Sequence, residues 1–375
     1  MKTDKPCHVR YLATRHFASL DGLRFICISA VIWHHMPDRP DAMMLFARGH
    51  VGVDFFFVLS GFLITTLLLR EEAAEGSFSL RGFYWRRILR IIPIYFLVVS
   101  LAAFYAIVIK NHTEQLQILP YYYLFLSNFL AVEDIGFLAP TWSLAVEEQY
   151  YLVWPALLLL VPRGWIVSVL LALISVNVLA AIGAFALVGI HPIDIAHLRL
   201  QIGGATYAPI LMGSLVAILL NRPAGFSFLR PITAFPGAPW LWFACLLLAL
   251  GAFPGALEGL PNLLVHSLMC LMLVSLVIRE DHAMAPVLKL QPIARIGQIS
   301  YGIYLYHLFA LSLVMKGFEE LGLTGAGWIL VIYYALSIMI AETSYRYFEV
   351  WFMQFRKKPP PHANSRPPRT ERRRS

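Results

Sequence analysis

Apolar runs long enough to cross a bilayer recur along almost the entire chain, more of them than a soluble domain of this length buries. Hydropathy gives ten spans, at approximately 21–37, 50–69, 88–109, 143–161, 164–189, 203–221, 239–255, 260–278, 298–316 and 325–345. A bilayer core takes about 20 apolar residues as a helix, and backbone inside it must satisfy its own hydrogen bonds. The expected fold class is therefore all-α: a polytopic membrane helical bundle of about ten transmembrane helices, with no soluble domain. The chain is 59% hydrophobic and 14% charged, which sets it apart from ordinary soluble domains. The first apolar run carries Arg24, His34 and His35 and has no small-residue cleavage site after it, so it reads as a retained helix and not a signal peptide.

Charge distribution orients the bundle. With ten spans, 24 of the 30 Lys and Arg fall on the side shared by both termini, five fall opposite, and Arg24 lies inside the first span. The positive-inside rule makes both termini cytoplasmic. Residues 1–19 then form a cytoplasmic N-terminal segment, 20–345 the membrane domain, and 346–375 a basic, Pro-rich disordered tail that contacts anionic membrane lipids. No aromatic-interleaved soluble domain accompanies that tail, which argues against nucleic acid as a partner. Gln117 to Val132 is short and rich in tyrosine, and reads as a re-entrant or interfacial helix. Cys7, Cys27, Cys245 and Cys270 show neither CxxC nor zinc spacing, so neither a structural metal nor a disulfide framework is expected.

Polar groups inside the apolar spans carry the chemistry, because ionisable residues at membrane depth are costly and commonly functional. Arg24 and His35 are eleven positions apart, which returns them to within roughly 20° of one helix face and separates them by about 16 Å along the axis. His34 points elsewhere. Asp54 opens the second span and shares a face with His50 and Gly61; it is either an acid facing the helix-one histidine or a helix-end cap, with Gly61 permitting close packing. Arg87 and Arg90 are i,i+3 neighbours, a two-guanidinium arrangement suited to phosphates, or else a membrane-edge anchor. Ser143 and Glu147 share a face at the start of the fourth long span, where the alternative is a capping box. Ser300, Tyr304 and His307 form a polar stripe late in the chain.

Together these segments resemble a known family. Leu20-Asp-Gly-Leu-Arg24 followed by His35, Gly52-Val-Asp54 running to Ser60-Gly61-Phe-Leu-Ile64, Arg87-Ile-Leu-Arg90, Trp142-Ser143-Leu-Ala-Val-Glu147 through Tyr151, and Ser300 to His307 occur in the order seen in the acyltransferase-3 family. Its members are bacterial inner-membrane proteins that O-acylate glycans, lipopolysaccharide, exopolysaccharides, Nod factors and some macrolides. The resemblance implies that Arg24 and His35 are essential, and links Arg87 and Arg90 to the acyl donor. Some members carry an extracytoplasmic SGNH hydrolase-like domain; residues 1–375 contain none, so any division of labour with such a partner is expected in trans.

The expected activity is transfer of an acyl group, most commonly acetyl, from cytoplasmic acyl-CoA to a hydroxyl of a glycan or other exported acceptor. Acyl-CoA is then a co-substrate, and no cofactor is bound permanently. His35 serves as general base, Asp54 or Glu147 orients its imidazole, and Arg24 pairs with Asp21 or holds the donor. Ser60, Gly61, Trp142, Ser143, Ser300, Tyr304 and His307 are expected to line the substrate cavity. Acceptor recognition is assigned to outer loops such as 38–49, 110–142 and 190–202. The alternative is a transporter or flippase for a glycan or lipid-linked precursor that uses the same polar stripe as a path.

Overall fold

A computed structural model describes residues 4–37, 47–131, 135–200, 207–253, 257, 259–323 and 325–357. Most of loop 38–49, with its expected acceptor contacts, and the tail beyond 357 lie outside the described residues. The long helices are α1 (Asp4–Ala13), α2 (Ser19–His34), α3 (Val51–Glu75), α4 (Leu80–Ala103), α5 (Thr141–Leu160), α6 (Ile166–Ala181), α7 (Ala208–Asn221), α8 (Pro223–Thr233), α9 (Ala238–Ala252), α10 (Gly259–Val277), α11 (Gln291–Gln298), α12 (Ser300–Glu320) and α13 (Ala326–Ser344). A two-stranded antiparallel hairpin, β1 (Ile193–Ile195) and β2 (Leu198–Leu200), is the only sheet among the described residues, a small departure from the all-α expectation.

Each of the ten apolar runs overlaps a helix. Among the described residues, however, four helices are long and apolar enough to cross a membrane, or up to six if each of two bent pairs is one span. The shortfall has a physical source. Helices α6 and α9 have only 16 and 15 residues, short of the about 20 a bilayer core requires. Two other apolar runs, 203–221 and 298–316, meet a neighbouring helix at a sharp bend, α7 with α8 at 106° and α11 with α12 at 76°. At the first break Pro223 holds Arg222 extended, at φ −92° and ψ 133°, as the residue before proline prefers.

Among its described residues the tyrosine-rich segment contains no continuous helix. Its longest helical piece is the five residues Leu119–Tyr123, flanked by single 3-10 turns. Tyr122 is fully buried; its carbonyl accepts from Tyr95 Oη at 2.9 Å, and its hydroxyl accepts from the Ile135 N–H at 3.1 Å.

Two close backbone approaches set the geometry around the site. Helices α3 and α7 cross where Gly61 meets the Ile210 carbonyl and Gly213 meets the Val58 carbonyl, and a Cβ at either position would clash with backbone. Gly61 is thus a packing residue between two helices and not the cavity-lining residue expected from the sequence. Gly297, near the end of α11, lies against the Asp21 carbonyl, which brings the α11–α12 break beside the first turns of α2.

Candidate active site

A cavity of about 380 Å³ opens where α2, α3, α4, α5 and the α11–α12 break converge. It gathers eight of the residues marked in the sequence: Arg24, Ser60, Arg87, Arg90, Ser143, Glu147, Ser300 and Tyr304. Its size falls within the about 300–1,000 Å³ typical of sites for organic ligands. Five arginines line it (Arg15, Arg24, Arg70, Arg87 and Arg90), against two carboxylates, Asp21 and Glu147. The charge favours an anionic ligand.

Local sequence explains these placements. Asp21 and Arg24 are i,i+3 partners on α2, with Nη1 3.0 Å from Oδ1. The second Asp21 oxygen accepts from Gln298 Nε2 at 3.2 Å, which ties α2 to the end of α11. On α4 the three-residue spacing turns both Arg87 and Arg90 toward the cavity. Arg87 lies over the Tyr151 ring, 4.6 Å from its centroid, a cation–π contact that fixes the guanidinium without neutralising it. Pro93 interrupts the same helix just beyond and removes one intrahelical bond.

Hydroxyl groups surround Glu147. Ser60 Oγ donates to Oε1 at 2.8 Å, and Tyr151 Oη donates to Oε2 at 3.1 Å. Ser143 Oγ lies 2.7 Å from Tyr304 Oη, which donates to the Pro140 carbonyl at 2.9 Å. Tyr151, which ends the Trp142–Tyr151 motif and was not singled out as a site residue, contacts both Glu147 and Arg87 and is part of the site.

The remaining marked residues lie elsewhere. His35 sits just past the end of α2 and does not line the cavity; its Nδ1 is 3.0 Å from the Val31 carbonyl. His307 is completely buried one turn beyond Tyr304, and its ring centroid is 4.8 Å from that of His35. The Ser300, Tyr304 and His307 stripe therefore runs from the cavity to His35. Asp54 is 3.3 Å from Nε2 of buried His266, a partner no sequence spacing announced, and Glu147 is occupied by Ser60 and Tyr151. Neither acid takes the expected place against the His35 imidazole. Trp142 is 38% exposed and packs edge-on against Phe57, outside the cavity wall.

Comparison with known proteins identifies the family. The family model described as an acyltransferase domain matches residues 17–343. "Peptidoglycan O-acetyltransferase OatA" of Listeria monocytogenes is 28% identical over 358 residues, covering 89% of this chain and 55% of the relative. "Putative peptidoglycan O-acetyltransferase YrhL" of Bacillus subtilis is 27% identical over 362 residues, covering 89% of this chain and 54% of the relative. "Putative O-acetyltransferase SACOL0978" of Staphylococcus aureus is 26% identical over 373 residues, covering 92% and 58%. The chain thus spans a little over half the length of these curated relatives. No solved structure matches it significantly. The motifs that line the cavity all fall inside the matched region, and the chain belongs to the acyltransferase-3 family.

Proposed function

We propose that this chain is a membrane-embedded O-acetyltransferase that moves an acetyl group from acetyl-CoA to a hydroxyl of a glycan. Peptidoglycan is the acceptor class named for two of its relatives. One observation carries the reading: a single cavity holds the arginine pair Arg87 and Arg90 together with the hydroxyl and carboxylate groups of Ser60, Ser143, Glu147 and Tyr304. In this reading about ten helices span the bacterial plasma membrane, both termini are cytoplasmic, and the donor enters from the cytoplasm.

The donor phosphates meet Arg87 and Arg90, and the pantetheine arm follows the apolar wall of Val53, Phe57 and Leu144. His35 is outside the cavity, so the acyl end passes Tyr304 to reach it. Donation from Nδ1 to the Val31 carbonyl leaves Nε2 as the proton-accepting nitrogen. That nitrogen takes the proton of the acceptor hydroxyl as its oxygen attacks the thioester carbonyl. The C–S bond breaks, and the departing thiolate takes the proton from the imidazolium as coenzyme A. The test is mass spectrometry of cell-surface glycans with and without the gene. An increment of one acetyl group that requires His35 supports the reading; unchanged glycans with altered export point instead to a flippase.

A further inference from the structure

A second chamber of about 180 Å³ adjoins the main cavity, and the two share Arg24, Arg90, Gln298 and Tyr301. Its remaining wall includes Tyr345, Glu349 and Arg356, which lie beyond the matched family region at residue 343. Three guanidinium groups, those of Arg87, Arg90 and Arg356, converge around the two spaces, and none forms an ion pair with a carboxylate of the described residues. Arg356 Nε is buried and has no hydrogen-bond partner among the described residues. Nearby surface cations differ: Arg295 and Arg346 both pair with Glu342, and Lys289 pairs with Glu280 at 2.6 Å. Two carboxylates share these walls, Glu349 in the chamber and Glu147 in the main cavity, and neither forms an ion pair with the three arginines; a buried donor left without a partner is costly, so the cluster keeps capacity for an anion that arrives with a ligand.

Chamber size limits what that anion is. At about 180 Å³ it falls below the about 300–1,000 Å³ of pockets that take a whole organic ligand, so it accommodates one group of a branched molecule. A phosphate monoester carries about −1.5 to −2 charge near pH 7 and three acceptor oxygens, which suits arginines on different elements. We propose that this chamber binds the 3′-phosphate of the coenzyme A donor, with Arg356 and Arg90 as its partners, while Arg87 faces the pyrophosphate in the main cavity. The proposal rests on the acyl-CoA reading above. It gives the segment after α13 a role in donor recognition.

The test is calorimetric titration of the purified full chain, in neutral detergent, with coenzyme A and with 3′-dephospho-coenzyme A. Wild type is expected to bind coenzyme A at least about tenfold more tightly, the factor that one charge-assisted contact supplies. Arg356→Ala should bring the two ligands to parity by weakening coenzyme A alone, and Arg346→Ala should leave the preference intact. Equal wild-type affinities, or equal weakening of both ligands by Arg356→Ala, overturns the 3′-phosphate site and leaves the donor reading standing. Binding of neither ligand overturns the donor reading itself. Loss of the preference when phosphatidic acid is added to the micelles reassigns the chamber to a lipid phosphate and overturns the proposal.

Discussion

His35 and His307 meet edge to face, with ring centroids 4.8 Å apart, from opposite ends of the chain. His307 Nδ1 is held by the Tyr304 carbonyl at 2.7 Å, and its buried Nε2 has no hydrogen-bond partner among the described residues. Leaving such a nitrogen unsatisfied costs about 1–3 kcal/mol, a cost that a purely structural core position avoids with an apolar side chain. His35→Ala is expected to lower acetyl transfer by about 10²–10⁴-fold, the usual contribution of a general base. His307→Phe keeps a ring of similar size and should lower kcat without changing KM for acetyl-CoA. His34→Ala should retain most activity, since position 34 leaves the Arg24 face. An in-membrane assay with labelled acetyl-CoA measures all three, and an inactive His34→Ala beside an active His35→Ala would reject the assignment.

Arg87 and Arg90 should act on the donor. Alanine at either position is expected to raise KM for acetyl-CoA and leave acceptor dependence nearly unchanged, because a phosphate contact mainly supplies ground-state binding. Each lost charge-assisted contact corresponds to about 1.5–3 kcal/mol. Initial rates with each substrate varied in turn would separate this from a folding defect, which weakens both together.

Topology is testable at Cys7, which is exposed on α1. If the N-terminus is cytoplasmic, a membrane-impermeant maleimide should label Cys7 only after permeabilisation. Labelling in intact cells would reverse the orientation and place the arginine pair on the wrong side for acyl-CoA.

Much of the cavity was legible because its residues sit at helical spacings within short motifs. Arg87 with Arg90, Ser143 with Glu147, and Ser300 with Tyr304 each share a face by periodicity alone, and all six line the cavity. Contacts across the chain were not legible. Nothing local to Asp54 indicates that His266 on α10 is its partner, and nothing near Arg356 indicates Arg90. The placement of Gly61 depended on Gly213, whose reciprocal packing is a property of two helices and not of either sequence segment. About ten spans were expected, and four to six helices among the described residues pass by length and apolar character; α2, α6 and α9, at 16, 16 and 15 residues, are too short to be counted, a limit that hydropathy over a run does not register.

His282 gives the fold a pH dependence outside the membrane-spanning helices. Burial, followed by the nearby charges of Lys289 and Arg279, pushes its pKa down from 6.5 to about 4, while its Nε2 lies 2.9 Å from Ser19 Oγ at the start of α2. The folded state therefore holds a neutral imidazole that the unfolded chain protonates below about 6.5. The stability this supplies is fully present above pH 6.5 and is lost as pH falls toward 4. Thermal melts of the detergent-solubilised protein should show Tm falling through that window. His282→Gln should flatten the decline; an unchanged slope would remove His282 as its source.

Glu147 joins α3 to α5 through Ser60 and also faces the cavity, so its structural and chemical roles need separating. A hydrogen bond to a charged group contributes about 1.5–3 kcal/mol, so a double-mutant cycle of Ser60→Ala and Glu147→Ala should show coupling of that order in stability. Glu147→Gln is more informative. Its amide oxygen still accepts from Ser60, whereas its amide nitrogen must donate to the Tyr151 oxygen, so the helix contact survives and the negative charge beside Arg87 is lost. If the carboxylate tunes the cavity for transfer, Glu147→Gln should keep near-native Tm and lower kcat. Native kcat with lowered Tm would make Glu147 a helix fastener, and the chemistry would then rest on the histidine pair alone.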